Sequence, residues 1–287
     1  MPCLTQEDTA ELFLAACRAE LDALKPGNVH VHAGGHGMEV GQFEASAAAA
    51  APWIAATGLK VGARVLRGVE ASMAAAGCNT NLGILLLAAP LAAAAQAGNA
   101  RSLRTRLAHV LAALDAQDAA DVYAAIRVAN PGGLGAAPTA DIAAPPTVGL
   151  LQAMSLAADR DRIARAYVTD FAEIFEFGVP TLDRVRLLTS DFNLMVTTLH
   201  MAYLAELPDS HIARKFGSDV AEQVRKEATR HKHLWQPVVA PSSFAELLAF
   251  DAELKRRSLN PGTTADFVVG TLFAASIRDR LDLSSLP

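Results

Sequence analysis

Five polar segments interrupt long apolar runs in this 287-residue chain, and their residue types could do chemistry. The first reads Lys25-Pro26-Gly27-Asn28-Val29-His30-Val31-His32 and continues to Gly34-Gly35-His36-Gly37-Met38. A cation and an amide beside a Pro-Gly turn can present an ammonium and backbone N–H groups to phosphate oxygens. The same residues also make an ordinary helix stop with a solvated Lys. Its histidines offer a His-x-His pair to a metal, with no Cys nearby to complete a zinc set, or serve as hydrogen-bonding loop residues. The second segment, Gly77-Cys78-Asn79-Thr80-Asn81-Leu82-Gly83, precedes the most apolar run of the chain. Asn and Thr cap helices, yet two amides exceed what one cap needs, and a helix start is a ready anion site.

The third segment, Arg127-Val128-Ala129-Asn130-Pro131-Gly132-Gly133-Leu134-Gly135 followed by Asp141, allows close backbone approach to a ligand or simply connects two helices. The fourth is Asp209-Ser210-His211-Ile212-Ala213-Arg214-Lys215. Asp209 or Ser210 can cap a short helix, and Arg214 falls on the face of Ser210 one turn later. The fifth, Ser258-Leu259-Asn260-Pro261-Gly262-Thr263-Thr264-Ala265-Asp266, opens the last apolar helix. Thr263 and Asp266 have the spacing of a capping box, and Asp266 can equally hold a metal or take a proton.

The elements that must position these segments are helical. Ala and Leu dominate, and β-branched or aromatic alternation is scarce. Thr5 is a cap candidate for a first helix that Pro26-Gly27 stops. Further helical spacing runs over about 39–57, 61–75 and from 81, then 101–114, 118–128, 146–157, 160–176, 181–206, 217–233, 242–257 and 263–280. This predicts an all-α chain of about eleven or twelve helices. The polar segments lie on both sides of the Gly/Pro/Ala-rich stretch 129–146, and to share one pocket they must belong to a single domain spanning 1–287.

Apolar residues make up 52% of the chain and charged ones 19%, which excludes disorder. A net charge of −5 without a basic stripe argues against nucleic acid as the main partner, while local cations can still serve a phosphorylated small molecule. Cys3, Cys17 and Cys78 are odd in number and lack C-x-x-C spacing, so a disulfide framework and a structural zinc site are excluded and a reducing cytoplasm is expected. The N-terminus lacks the pattern of a signal peptide, and the apolar run 82–95 is too short and Pro-containing for a membrane span. Ala-rich helices pack tightly within one subunit or between two, so a homodimer stays open.

In order, Lys-Pro-Gly-Asn, Gly-His-x-Met, Asn-Thr-x-x-Gly, Asp-Ser-x-x-x-Arg-Lys and Asn-Pro-Gly-x-x-Ala-Asp resemble the triphosphoribosyl-dephospho-CoA synthase family, from about Glu11 to Ile277. The resemblance implies an all-helical cytoplasmic transferase. It would join C1 of the ATP ribose to the 2′-hydroxyl of 3′-dephospho-CoA, release adenine, and make the prosthetic-group precursor of decarboxylase carrier proteins. Two departures stand out. Prototypes read Asn-Thr-His-Lys-Gly where this chain has Asn79-Thr80-Asn81-Leu82-Gly83, and Asp where it has Gly37; the variant resembles stand-alone prokaryotic relatives.

Such a reaction needs a held triphosphate, with Mg²⁺ as the usual companion, a base for the attacking hydroxyl and a donor for departing adenine. Phosphate and nucleotide candidates are Lys25, Gly27, Asn28, His30, Asn79, Thr80, Asn81, Gly83, Arg127, Ser210, Arg214, Lys215, Asn260, Gly262 and Thr263. Candidates for Mg²⁺ or the base are Asp209 and Asp266. Glu20, one turn before Lys25, is a second base candidate, and His36 can serve adenine or phosphate. The missing His and Lys leave open another cofactor precursor as acceptor, such as a pterin intermediate of C1 metabolism, or a non-catalytic nucleotide-binding role.

Overall fold

A computed structural model describes residues 2–98, 100, 102–132 and 141–283. Fifteen α-helices run through them: α1 (Gln6–Asp22), α2 (Val40–Ile54), α3 (Val61–Ala76), α4 (Leu82–Gln96), α5 (Leu103–Ala112), α6 (Ala116–Ala129), α7 (Leu150–Ala157), α8 (Arg162–Val168), α9 (Val179–Arg186), α10 (Phe192–Glu206), α11 (Ser210–Phe216), α12 (Ser218–Arg230), α13 (Lys232–Trp235), α14 (Phe244–Arg256) and α15 (Gly262–Leu283). A π-helical turn, Glu173–Gly178, joins directly onto α9. The all-α expectation holds, but eleven or twelve helices is too few. Expected helix 160–176 breaks where Asp170 and Phe171 take positive φ. Expected helix 181–206 breaks before Asp191, whose carboxylate caps the Asn193 and Leu194 N–H groups and restarts the chain as α10. The second break carries a local signal, since Thr189-Ser190-Asp191 is a run of capping residues inside the apolar periodicity, whereas the first turns on backbone angles that residue type does not announce.

Helix α1 begins as the sequence predicts: the Thr5 hydroxyl accepts the Asp8 N–H, and the Asp8 carboxylate returns to the Thr5 backbone. Helices α4 and α15 are apolar around most of their circumference and therefore lie inside the molecule, packed on each other. They centre a large core that also takes Phe13 of α1, Val65 and Val69 of α3, and Leu107 of α5. A second cluster gathers Leu24, Ile212, Val224, Trp235, Leu247 and Leu254. Helix α10 feeds both, with Val196 and Leu199 on one side and Met201 and Leu204 on the other, so the chain forms one domain. No helix among the described residues is long and apolar enough to cross a membrane.

The loop between α1 and α2 is long but fixed. Isolated bridges pair His30 with Ala33 and Gly35 with Met38. Gly27, at φ +87°, lies where a Cβ would sit 2.8 Å from the Pro261 ring and 3.0 Å from the Leu259 carbonyl oxygen. Only glycine meets both the backbone angle and the closeness of the loop before α15. The Asn28 amide then donates to Asn260 Oδ1 at 2.8 Å, so chain segments more than two hundred residues apart are sewn together.

Candidate active site

The polar segments converge on one cavity of about 1290 Å³. Glu20 reaches it from the last turn of α1, Asn28 and His36 from the following loop, and Asn79–Gly83 from the turn into α4. Ser210, Arg214 and Lys215 enter from α11, and Asn260, Gly262, Thr263 and Asp266 from the start of α15. Asn130 and Gly132 of the third segment line it too, as does Asp141; Gly133, Leu134 and Gly135 lie outside the described residues.

Asp266 is the acidic group that the start of α15 brings to this cavity. Its Oδ2 rests where a Cβ on Gly83 would come within 2.0 Å, so the absence of a side chain at Gly83 is what admits the carboxylate between α4 and α15. Among the described residues no group donates a hydrogen bond or ion pair to it. Burial pushes its pKa well above the usual carboxylate range, and the neighbouring charges of Asp209, Glu20 and Asp161 push the same way against Arg214. The carboxylate thus sits in a negative field without a resident cation.

Glu20 is almost wholly buried, and one of its oxygens pairs with the Lys25 ammonium. Lys25 also donates to Asn28 Oδ1 at 3.1 Å. Burial raises the Glu20 pKa and lowers that of Lys25, each charge partly restoring the other. This corrects the expectation that Lys25 meets phosphate: it has no exposed surface and stands behind Glu20, outside the cavity wall.

Asp209 differs as well from expectation. It lies behind the wall, with Oδ1 accepting the Ile212 N–H at 3.0 Å and Oδ2 accepting the Thr264 N–H at 2.7 Å. One carboxylate therefore caps α11 and ties down the first turn of α15. The Thr263 hydroxyl instead accepts from Ser210 at 3.0 Å, so the predicted capping box of Thr263 with Asp266 is replaced by a cap from another helix. The local pattern was correct for a cap, but a buried carboxylate from α11 reached the orphan N–H first.

Three further nucleotide candidates, Arg127, His30 and Gly27, lie away from the cavity wall. Arg127 is exposed at the end of α6 and clips the Ile142 carbonyl at 2.7 Å. His30 is fully buried, 3.3 Å from Asp251 Oδ2, and burial lowers its pKa. Gly27 contributes its N–H to Asp251 Oδ1 at 2.8 Å. Burial pushes Asp251 up, but hydrogen bonds from His30, Lys255 and Gly27 outweigh it and hold the carboxyl below its ordinary value. His30, Asp251 and Lys255 thus form a brace behind the loop. His36 does face the cavity while bonding the Gly27 carbonyl at 2.8 Å, and burial lowers its pKa also.

At the turn into α4, Asn79 Oδ1 accepts the Leu82 N–H at 3.2 Å, Thr80 donates to Ser46 at 2.6 Å and Asn81 to Ser72 at 2.9 Å. The departure at Asn81 and Leu82 therefore consists of a side chain bonded to α3 and a buried apolar one, where the prototypes carry His and Lys. The departure at Gly37 is at φ +74° on the cavity wall, with nothing within 4 Å of a built Cβ.

Sequence reasoning missed Arg162 and Glu173. The Arg162 guanidinium donates to Glu173 Oε2 at 3.0 and 2.8 Å and lies 4.7 Å from the Phe267 ring centroid. Both residues line the cavity. Their partnership depends on the π-helical turn, which no local motif announces. His211, quoted within the fourth segment but given no role, also lines the cavity; burial, then Lys215 and Arg214, push its pKa down to about 3, so the ring is neutral.

Residues 6–285 match the model of the CitG family, described as ATP:dephospho-CoA triphosphoribosyl transferase. The chain belongs to this family. A crystal structure of a provisionally named triphosphoribosyl-dephospho-CoA synthase from Archaeoglobus fulgidus has the same fold. Its TM-score is 0.60 and its identity 24%, over 80% of this chain and 96% of that one. A comparison with curated proteins finds no significant match. The chain is thus a triphosphoribosyl-dephospho-CoA synthase-type transferase, and ATP is the substrate of the family reaction. The match favours dephospho-CoA over the other acceptors and the non-catalytic role.

Proposed function

We propose that this chain moves the triphosphoribosyl group of ATP onto the 2′-hydroxyl of 3′-dephospho-CoA, with Glu20 as base and the whole single domain holding both substrates. The observation that carries the reading is the pairing of two cavity carboxylates, Glu20 and Asp266, with the cations Arg214 and Lys215 and the Asn79–Gly83 turn on the same cavity. In the reaction the ribose C1–N9 bond breaks and its electron pair leaves with adenine, while the acceptor oxygen bonds C1. Glu20 takes the hydroxyl proton through the oxygen not held by Lys25, and Lys25 and Asn28 keep that carboxylate aimed. Burial makes Glu20 a stronger base than an exposed carboxylate. Arg214 and Lys215 take triphosphate oxygens; Ser210, Asn260 and Thr263 add polar contacts. His36 and His211 are neutral partners for the departing base.

Mg²⁺ fits this site in one particular way. Among the described residues no group of three or more His, Cys, Asp or Glu is placed to hold a metal. Both Asp209 oxygens are engaged by backbone N–H groups, which leaves Asp209 out of the set. Asp266 carries an unpartnered carboxylate in a negative field, and Mg²⁺ commonly uses one or two carboxylates plus substrate phosphates and water. Asp266 would hold such an ion, whose chemistry is to neutralise triphosphate charge. The test is incubation with ATP, Mg²⁺ and 3′-dephospho-CoA, reading free adenine and the triphosphoribosyl adduct by mass spectrometry. Formation of both, lost in Glu20→Gln, supports the proposal. No adduct from the parent protein, or an undiminished one from Glu20→Gln, overturns it.

A further inference from the structure

The cavity has a second face that the chemistry above does not use. A single small ligand fills roughly 300–1,000 Å³, and this cavity is larger, at about 1290 Å³. Its polar groups come from α1, α11, α15 and the turn into α4. On the side formed by α6 and α7 it is lined instead by Val122, Ile126, Leu150, Ala153 and Met154, with Ile84 of α4 adjoining. These two helices pack on one another, and α7 packs on α8, so the wall is continuous. None of these six side chains carries charge. The triphosphate of ATP is unsuited to such a wall, because desolvating its charges there would be costly.

We infer that the α6–α7 wall is the subsite for the pantetheine tail of the acceptor: an uncharged chain of methylenes, a gem-dimethyl group and two amides. The inference rests on the proposed reaction for the identity of the acceptor. In this arrangement the acceptor's diphosphate-ribose end points toward Glu20, and its tail lies along α6 and α7. The apolar wall then distinguishes a tailed acceptor from a plain nucleotide of the same ribose chemistry. It also keeps the second triphosphate-bearing nucleotide, ATP itself, from the acceptor position.

Ala153 and Ile126 are only half-buried and line this wall, so changes there intrude on the cavity before they disturb the core. The variants Ala153→Phe, which fills the space, and Ile126→Asp, which charges it, would be tested in the full chain. Calorimetry would measure binding of 4′-phosphopantetheine, dephospho-CoA and ATP; kinetics would compare dephospho-CoA with ADP, an acceptor lacking the tail. Both variants should weaken dephospho-CoA and 4′-phosphopantetheine about tenfold or more, equivalent to about 1.4 kcal/mol. ATP binding and kcat/KM for ADP should stay within about twofold on the same scale. A parallel loss for ATP and dephospho-CoA, or no loss for either in variants that melt like the parent, overturns the subsite. If the binding pattern holds while the parent protein releases no adenine, the subsite stands and the proposed reaction fails.

Discussion

Two carboxylates at the first turns of α15, Asp209 from the start of α11 and Asp266 on α15 itself, are held in opposite ways. Around Asp209 burial still raises the pKa, but two backbone N–H groups, from α11 and α15, reach its two oxygens and oppose that rise together with Arg162. Around Asp266 the described residues supply no such donor, and three acidic neighbours aggravate the burial. The residue type is the same; Asp209 is buried and Asp266 is partly open to the cavity, and only Asp209 has donors. A saturated carboxylate is part of the fold's wiring, whereas an unsatisfied one is held for something that arrives later.

The sharpest way to break this comparison is at the carboxylates that face the cavity, Glu20 and Asp266. Glu20→Gln, which keeps the shape but removes the base, should lower kcat by about 10²–10⁴ with nucleotide binding retained. Asp266→Asn should cost about 10² or more in kcat while leaving the protein as stable or more so, because a buried charge without a partner is removed. Stopped assays of adenine release with parallel thermal melts check both. Equal melting loss in Asp266→Asn and Asp209→Asn would erase the distinction between the two sites.

On the satisfied side, Asp209→Ala should destabilise the protein by about 3 kcal/mol by orphaning the Ile212 and Thr264 N–H groups, measured by denaturant titration. The pH dependence gives a finer separation. Asp266 keeps its proton in the folded state to higher pH than in the unfolded chain, so the unfolded state binds fewer protons over that interval. Stability then falls as pH rises from about 4, the unfolded carboxylate value, toward the raised folded value. Without Mg²⁺ or nucleotide, Asp266→Asn and the parent should melt alike below about pH 4, and the variant should gain on the parent above it. A gap that shrinks with rising pH would contradict the raised pKa. The smallest effect is expected at Arg127, outside the cavity: Arg127→Ala should leave kcat/KM unchanged within about twofold and stability within about 0.5 kcal/mol.

Much of this was legible from residue order. Helical spacing identified the class of fold, and segments scattered from Lys25 to Asp266 pointed to one pocket because each paired polar atoms with a helix end. What stayed hidden were partnerships formed across space. Lys25 reads as a solvated loop cation, yet it has no exposed surface and its ammonium is held by Glu20 and Asn28. Asp251 and Lys255, one turn apart on α14, belong to none of the five polar segments, yet they form the brace behind His30. Arg162 and Glu173 meet only because Asp170 and Phe171 break the helix between them. Capping logic failed at Thr263 for the same reason: a stronger acceptor came from a distant helix.

The seam between Asn28 and Asn260 has a bearing on how the protein comes into being. During synthesis the Lys25 loop leaves the ribosome long before the Asn260 loop exists, and Gly27 waits for Pro261 through almost the entire length of the chain. Contacts of such sequence separation form late and slow folding. The cavity wall is therefore incomplete until the segment carrying Asn260 and Asp266 has been made and has reached the Lys25 loop.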